Sequence, residues 1–298
     1  MGGTINRVLV MRPIFIATIC ALLPLVPANA ALRVTGPMTP LQPGSVLLLT
    51  IASDEPAPAV RVRAFNRDLS PFPVDALTWQ VLVGIDLDVK PGTYPVEIEA
   101  GPPETRTAYA LSVKPRRFPT RTLRVNPDLV NPPPHEMERV AREAQAIRRL
   151  WDAPASAGLW EGPFVRPVPD EANSSFGTRS IYNGEPRSPH GGTDFLSPAG
   201  RPIKAPNAGR VVLAGSLYFT GGTVVLDHGL GVLSLFAHLS AMTVREGDVV
   251  GAGDVLGEVG ATGRVTGPHL HWAVRIAGAR VDPLSLLAAQ PLKVREKP

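Results

Sequence analysis

The run Val244-Arg245-Glu246-Gly247-Asp248-Val249-Val250-Gly251-Ala252-Gly253-Asp254-Val255-Leu256-Gly257 sets short β-branched or apolar pairs between closely spaced glycines. Each pair is too short to begin a helix, and each glycine permits the tight turn that an antiparallel hairpin needs. The same texture continues on both sides. Strand-like runs fall at 210–214, 223–228, 232–239, 248–250, 255–259 and 271–276, and nearly every gap between them holds a glycine. Residues 161–288 therefore read as one compact antiparallel β domain of barrel-sandwich-like character.

Upstream, the runs 46–51, 60–65, 79–85, 93–99 and 107–113 are β-branched or alternating, with turns at Gln42-Pro43-Gly44 and Lys90-Pro91-Gly92. Val60, Val62 and Ala64, like Tyr94, Val96 and Ile98, place one apolar face per strand. An immunoglobulin-like β-sandwich over 31–115 suits that spacing. Residues 116–160 form a connector, in which Asn131-Pro132-Pro133-Pro134 stops extended chain and can begin a helix. Met137, Val140, Ala141, Ala144, Ile147 and Trp151 then recur at helical spacing, with Glu138 and Arg142 paired on the outer face. This stripe is expected to seat one domain on the other; the sharper alternatives are a docking face for a regulatory protein partner and a cover over an active site. The fold class is mainly β.

With 298 residues, 44% of them hydrophobic, the chain can bury two cores. A net charge of +4 makes no case for nucleic acid as a partner. Arg7 and Arg12 precede the apolar run 13–26, and Ala28-Asn29-Ala30 completes the pattern of a secretory leader cleaved after Ala30. A periplasmic or secreted protein is expected, because the apolar run is short for a membrane anchor. The single cysteine, Cys20, lies in that leader and follows Ile19, where lipidation would need a small residue. The mature chain then has no disulfide, and its stability rests on its core and any bound metal. Residues 289–298 read as a C-terminal tail.

Five of the six histidines fall between residues 190 and 271. Imidazole and carboxylate are zinc ligands, and a catalytic zinc keeps three protein ligands and one open position. In Ser188-Pro189-His190-Gly191-Gly192-Thr193-Asp194-Phe195 the proline and glycines argue for a loop running into a strand rather than a helix. In His269-Leu270-His271 the two imidazoles would face one side of a strand while Leu270 enters the core. His238, in Phe236-Ala237-His238-Leu239-Ser240, ends a strand within reach of the same cavity. His228 and His135 carry structural readings. A lipoyl or biotin carrier needs a lysine at a hairpin tip, and none occurs between Lys204 and Lys293; no Gly-x-Ser-x-Gly elbow marks a serine hydrolase.

Residues 193–283, with similarity reaching back to Phe176-Gly177-Thr178-Arg179, closely resemble the LytM/lysostaphin-type zinc metallopeptidases of bacterial cell-wall metabolism. The segments that carry the resemblance include His190 to Asp194, Asp227-His228-Gly229, Phe236-Ala237-His238-Leu239-Ser240, Gly263-Arg264-Val265-Thr266-Gly267-Pro268-His269-Leu270-His271-Trp272 and Val281-Asp282-Pro283. The resemblance implies one Zn2+ per chain on His190, Asp194 and His271, with His238 and His269 catalytic. It also implies an endopeptidase that cuts stem-peptide cross-links of peptidoglycan, of D-alanyl–diaminopimelate type, with a zinc-activated water as nucleophile. One of His238 and His269 would act as general base, and the other would stabilise the oxyanion or protonate the leaving amine. Arg179 and Tyr182 are candidate substrate contacts, Arg179 for free carboxylates. Phe236 stands where many relatives carry tyrosine. The alternative function is a non-catalytic activator of a cell-wall amidase, which the intact ligand set disfavours.

Overall fold

The computed structural model describes residues 1–2, 31–37, 40–101, 105–124, 131–153, 157–174 and 176–289. The expected leader, beyond its first two residues, and the tail beyond 289 lie outside the described residues. The chain is mainly β.

Strands β1 (Leu32–Thr35), β2 (Val46–Ser53), β3 (Val60–Ala64), β4 (Arg67–Leu69), β5 (Phe72–Pro73), β6 (Thr78–Gly84), β7 (Gly92–Ala100) and β8 (Thr105–Val113) make two four-stranded antiparallel sheets. Their orders are β1-β2-β6-β5 and β4-β3-β7-β8. Period-two alternation builds the space between them: in β3, Val60, Val62 and Ala64 are buried while Arg61 and Arg63 are exposed. These side chains close on Leu47, Leu49, Val81 and Val83 of the facing sheet. Leu82, between Val81 and Val83, points the other way and joins Val46 in the core of the second half. A near-continuous apolar run, Val81-Leu82-Val83-Gly84-Ile85, is what a strand lying between two layers requires.

The second half begins with β9 (Thr120–Leu123), a short 3-10 turn at Pro134–Glu136 and helix α1 (Met137–Trp151). Strands β10 (Ala172–Ser174), β11 (Arg179–Tyr182), β12 (Glu185–Pro186), β13 (Gly192–Phe195), β14 (Pro202–Lys204), β15 (Gly209–Leu217) and β16 (Gly221–Gly229) follow. The chain continues through β17 (Val232–Met242), β18 (Val249–Val250), β19 (Val255–Val259), β20 (Leu270–Ile276) and β21 (Ala279–Val281) to helix α2 (Pro283–Ala288). The main sheet runs β10-β13-β20-β17-β16-β15-β18, with β14, β19 and β21 attached. Leu226, Phe236, Leu270 and Trp272 face its main core, while Val225, Leu235, Ala237 and Ala273 face the opposite side.

That opposite side is where α1 lies. Ile147, Leu150 and Trp151 pack on it, and Glu143 accepts a hydrogen bond from the Tyr218 backbone at 2.7 Å. Of the stripe, only Ile147 and Trp151 pack on the main sheet, joined by Leu150, while Ala141 and Ala144 are exposed and Met137 and Val140 line a cleft on the second half. The two halves meet directly. A Cβ added to Gly84 would stand 2.9 Å from Val281 Cγ1, so glycine lets β6 approach β21. Arg280 Nη2 donates to Asp86 Oδ1 at 2.7 Å, and Arg116 pairs with Asp282 at 3.0 Å. Burial raises the Asp86 carboxyl, but the bonds from Arg280 outweigh it and hold it at about 2.

His228 illustrates a histidine used as core. It is fully buried, with Phe164 edge-on at 5.1 Å. Nδ1 lies 2.8 Å from the Ala208 carbonyl oxygen, which only accepts, so Nδ1 carries the hydrogen and Nε2 accepts from the Ser234 hydroxyl at 2.9 Å. Burial pushes its pKa down from 6.5 to about 4. Between those values the unfolded chain binds a proton that the folded one refuses. Stability is therefore intact above pH 6.5 and lost as pH falls towards 4, by up to about 3 kcal/mol. Urea unfolding at pH 7.5 and 4.5 should show the wild type losing about 2 kcal/mol more than His228→Gln. Equal losses would mean that the ring is charged in the fold.

Candidate metal centre

Three strands and one loop converge on the histidine cluster. Asp194 on β13 lies directly across from His271 on β20, and β20 pairs on its other side with β17, where Ala237 opposes His271. His190 sits in the loop before β13, as its proline and glycines suggested. Its backbone is held there by Thr178 and Gly177: His190 N–H donates to the Thr178 carbonyl at 2.9 Å, and Gly177 N–H donates to the His190 carbonyl at 2.8 Å.

The three side chains bring one atom each to a small triangle. His190 Nε2 is 3.0 Å from Asp194 Oδ1 and 3.0 Å from His271 Nδ1, and His271 Nδ1 is 2.8 Å from Asp194 Oδ1. Hydrogen bonds alone do not satisfy this triangle. A ring nitrogen carries either a hydrogen or a lone pair, and a carboxylate oxygen only accepts, so one of the three contacts is always repulsive. A cation removes that conflict. Ligand atoms around one tetrahedral zinc stand about 3.3 Å apart, close to the separations seen, so this nitrogen–oxygen–nitrogen set fits a metal. Burial raises the Asp194 carboxyl, but the bonds from His190 and His271 overcome it and hold Asp194 well below the usual carboxylate range. Burial pushes the His271 imidazole down, with Asp194 opposing.

Glycine at 192 makes the triangle possible. A Cβ there would clash with the Trp272 carbonyl oxygen and stand 2.8 Å from His271 Cε1 and 2.9 Å from His271 Nε2. Trp272 belongs to the ladder between β13 and β20, so an alanine at 192 would displace both that ladder and the imidazole.

His238 and His269 flank the triangle, their ring centroids 4.8 Å apart, and His269 Nε2 lies 3.9 Å from Asp194 Oδ1. His238 has φ +70° at a register shift where β17 inserts one extra residue against β16. Such a bulge re-aims a side chain, here towards the cleft. Its Nδ1 lies 2.9 Å from the Thr262 carbonyl, and His269 Nδ1 lies 2.9 Å from the Gly267 carbonyl. Both Nδ1 atoms therefore carry hydrogens, so in its neutral form each ring has its lone pair on Nε2. Burial, and then the nearby His271, push His238 down to about 3, so the ring is neutral.

Thr262 went unread in the sequence. Its hydroxyl donates to the Leu239 carbonyl at 2.8 Å and accepts from Gly222 N–H at 2.9 Å, which locks the carbonyl that orients His238. Nothing in its sequence neighbourhood distinguishes it from any turn threonine.

A cleft of about 800 Å³ opens over these residues. Tyr182 lines it beneath Arg264, whose Cζ is 5.6 Å from the Tyr182 ring. Arg179 falls on the other face of its strand. Alternate residues of β11 face opposite ways, so Ser180 and Tyr182 line the cleft while Arg179 is exposed and lies outside its lining. Phe236 is buried against Trp272, so the missing tyrosine hydroxyl falls on the core rather than the cleft.

This geometry coincides with what the chain resembles. Residues 188–283 match Peptidase family M23. A solved Pseudomonas aeruginosa structure named as an M23 peptidase is 34% identical, with a TM-score of 0.65 over 85% of this chain and 96% of that one. The DD-carboxypeptidase/endopeptidase Mpg of Neisseria meningitidis is 44% identical over 102 residues, 34% of this chain and 24% of that protein. The peptidoglycan DD-endopeptidase ShyA of Vibrio cholerae is 38% identical over 111 residues, 37% of this chain and 26% of its own length. The match thus spans about a quarter of those curated relatives, whereas the Pseudomonas structure is covered almost end to end. The chain belongs to peptidase family M23.

Gly192→Ala should weaken metal binding by about tenfold or more, the size seen when a ligand's support is disturbed, with the far-ultraviolet circular dichroism unchanged. Competition against a chromophoric chelator measures it. An unaltered affinity would show that the ring has room the geometry denies it.

Proposed function

We propose that this chain is a zinc-dependent endopeptidase of bacterial peptidoglycan. It hydrolyses stem-peptide cross-links of D-alanyl–diaminopimelate type outside the cytoplasm, after removal of a leader near Ala30. The observation that carries this reading is the triangle of His190, Asp194 and His271 beside two histidines that each tie Nδ1 to a backbone carbonyl. The DD-endopeptidase names of the similar Neisseria and Vibrio proteins support the substrate class. In this reading the chain comprises the leader, an immunoglobulin-like module over 31–115, a connector over 116–160 and the peptidase unit over 161–288.

His190, Asp194 and His271 hold the metal. Bound there, zinc supplies Lewis acidity, which polarises a carbonyl and acidifies water. The protein residues do the rest. One of His238 and His269, each held by a carbonyl at Nδ1, takes a proton at Nε2 from the attacking water, and the other stabilises the tetrahedral oxyanion or protonates the leaving amine. Thr262 keeps His238 in position, and the bulge at His238 is backbone strain held at the site by its surroundings.

Digestion of purified cross-linked muropeptides, with products identified by mass, tests the reading. The wild type should convert dimers to monomers. His269→Ala and His238→Asn should lose about 10²-fold or more in kcat while retaining one zinc per chain, and His271→Ala should lose the zinc as well. Intact dimers under zinc-replete conditions would refute the activity, and full turnover by either of the first two variants would refute its role.

A further inference from the structure

The cleft carries charge on one wall. Among the described residues that line it, Asp194 is the only acid, and it belongs to the metal set; three arginines, Arg121, Arg187 and Arg264, share the lining. All three gather on one face of β11. Arg121 belongs to β9, which the connector lays parallel to β11 with Arg121 opposite Ser180. Its Nε donates to the Ser180 hydroxyl at 3.0 Å. The Ser180 carbonyl in turn accepts from the Arg187 backbone N–H at 2.9 Å. Tyr182, two residues on and on the same face, lies under Arg264, which also stacks 4.4 Å from the Phe219 ring.

Like charges held this close repel. Burial first, and then the charge of Arg187, depress Arg264 from the usual guanidinium range, with Tyr182 opposing. Arg187 pairs with Glu185, a half-exposed acid, and its Nε is buried without an acceptor among the described residues. A carboxylate entering the cleft would relieve the repulsion and supply acceptors in the planar geometry that guanidinium matches.

We propose that Arg121, Arg187 and Arg264 form a carboxylate-binding subsite that selects peptides bearing free carboxylates beside the scissile amide. This deepens the peptidase reading and rests on it. A peptide bridge of glycines offers no side-chain carboxylate to this wall, whereas a stem peptide with a diamino-diacid offers one next to the bond cut. Recognition falls to a strand from the connector as well as to the histidine-bearing sheet, so the subsite needs β9 in place on β11.

Two stem-peptide dimers, identical except that one has its free carboxylates amidated, test the subsite. Binding is read by calorimetry on the zinc-loaded His238→Asn protein, and turnover on the wild type. Asparagine suits the left-handed backbone at 238. The amidated dimer should bind about tenfold or more weakly, and the preference should shrink as salt rises. Adding Arg121→Gln, Arg187→Gln or Arg264→Gln should weaken the free-acid dimer about tenfold and leave the amidated one unchanged, with zinc content and circular dichroism controlling for folding. Equal binding of the two dimers, or an undiminished preference in all three variants, overturns the subsite. Carboxylate-dependent binding without wild-type turnover supports the subsite and overturns the peptidase reading. Turnover of both dimers at one kcat/KM does the reverse.

Discussion

The register that sets Asp194 across from His271 on β13 and β20 governs the rest of the site. In an antiparallel pair, directly opposed residues share a face with Cβ atoms about 5 Å apart, so a carboxylate and an imidazole there must meet. A slip of one residue in either strand would turn that strand's member of the pair onto the wrong side. Much of the surrounding structure holds this register. Phe195 and Leu270, opposed one step along, are both fully buried, and the main core around Trp272 closes over them. Gly192, two steps back, leaves the space in which the His271 ring turns towards the triangle.

From that fixed pair the other groups follow by contact. His190 arrives on a loop tied to Thr178 and Gly177, and His238 arrives by a bulge on the strand that flanks β20. The result is two kinds of histidine in one cluster. Those of the triangle direct ring nitrogens at a shared point, and the flanking two tie Nδ1 to a carbonyl and leave Nε2 open. Sharing the residue type while dividing the roles by hydrogen bonding is a general way to obtain ligand and base from one side chain. His228, 0% exposed and hydrogen-bonded on both nitrogens, shows the third use, as core.

Alternation made much of the fold legible in the sequence. Val60, Val62 and Ala64 face one core, and the glycine-spaced run at 244–257 forms β18 and β19. The cluster was legible because five histidines fall in one β region, and His269-Leu270-His271 reads as one strand face with Leu270 inside. Parity and pairing at short elements were not legible. Arg179 lies on β11, four residues long, where nothing in the sequence says which face looks into the cleft, and the answer turned out to be Ser180 and Tyr182. β9 has no alternation to read and exists because β11 offers it an edge. Thr262 and the positive φ of His238 depend on a bulge, whose signature is a register shift visible only when both strands are in place. The helix stripe was read correctly as apolar, but a stripe alone does not name the surface it covers.

X-ray absorption on the zinc-loaded protein bears most directly on the claim that one triangle, and not the whole cluster, holds the metal. The fine structure counts imidazoles from their outer-ring scattering. The account predicts one zinc per chain with two imidazoles and one carboxylate oxygen, unchanged in His238→Asn. A shell of three or four imidazoles, or one that loses an imidazole in His238→Asn, would contradict it.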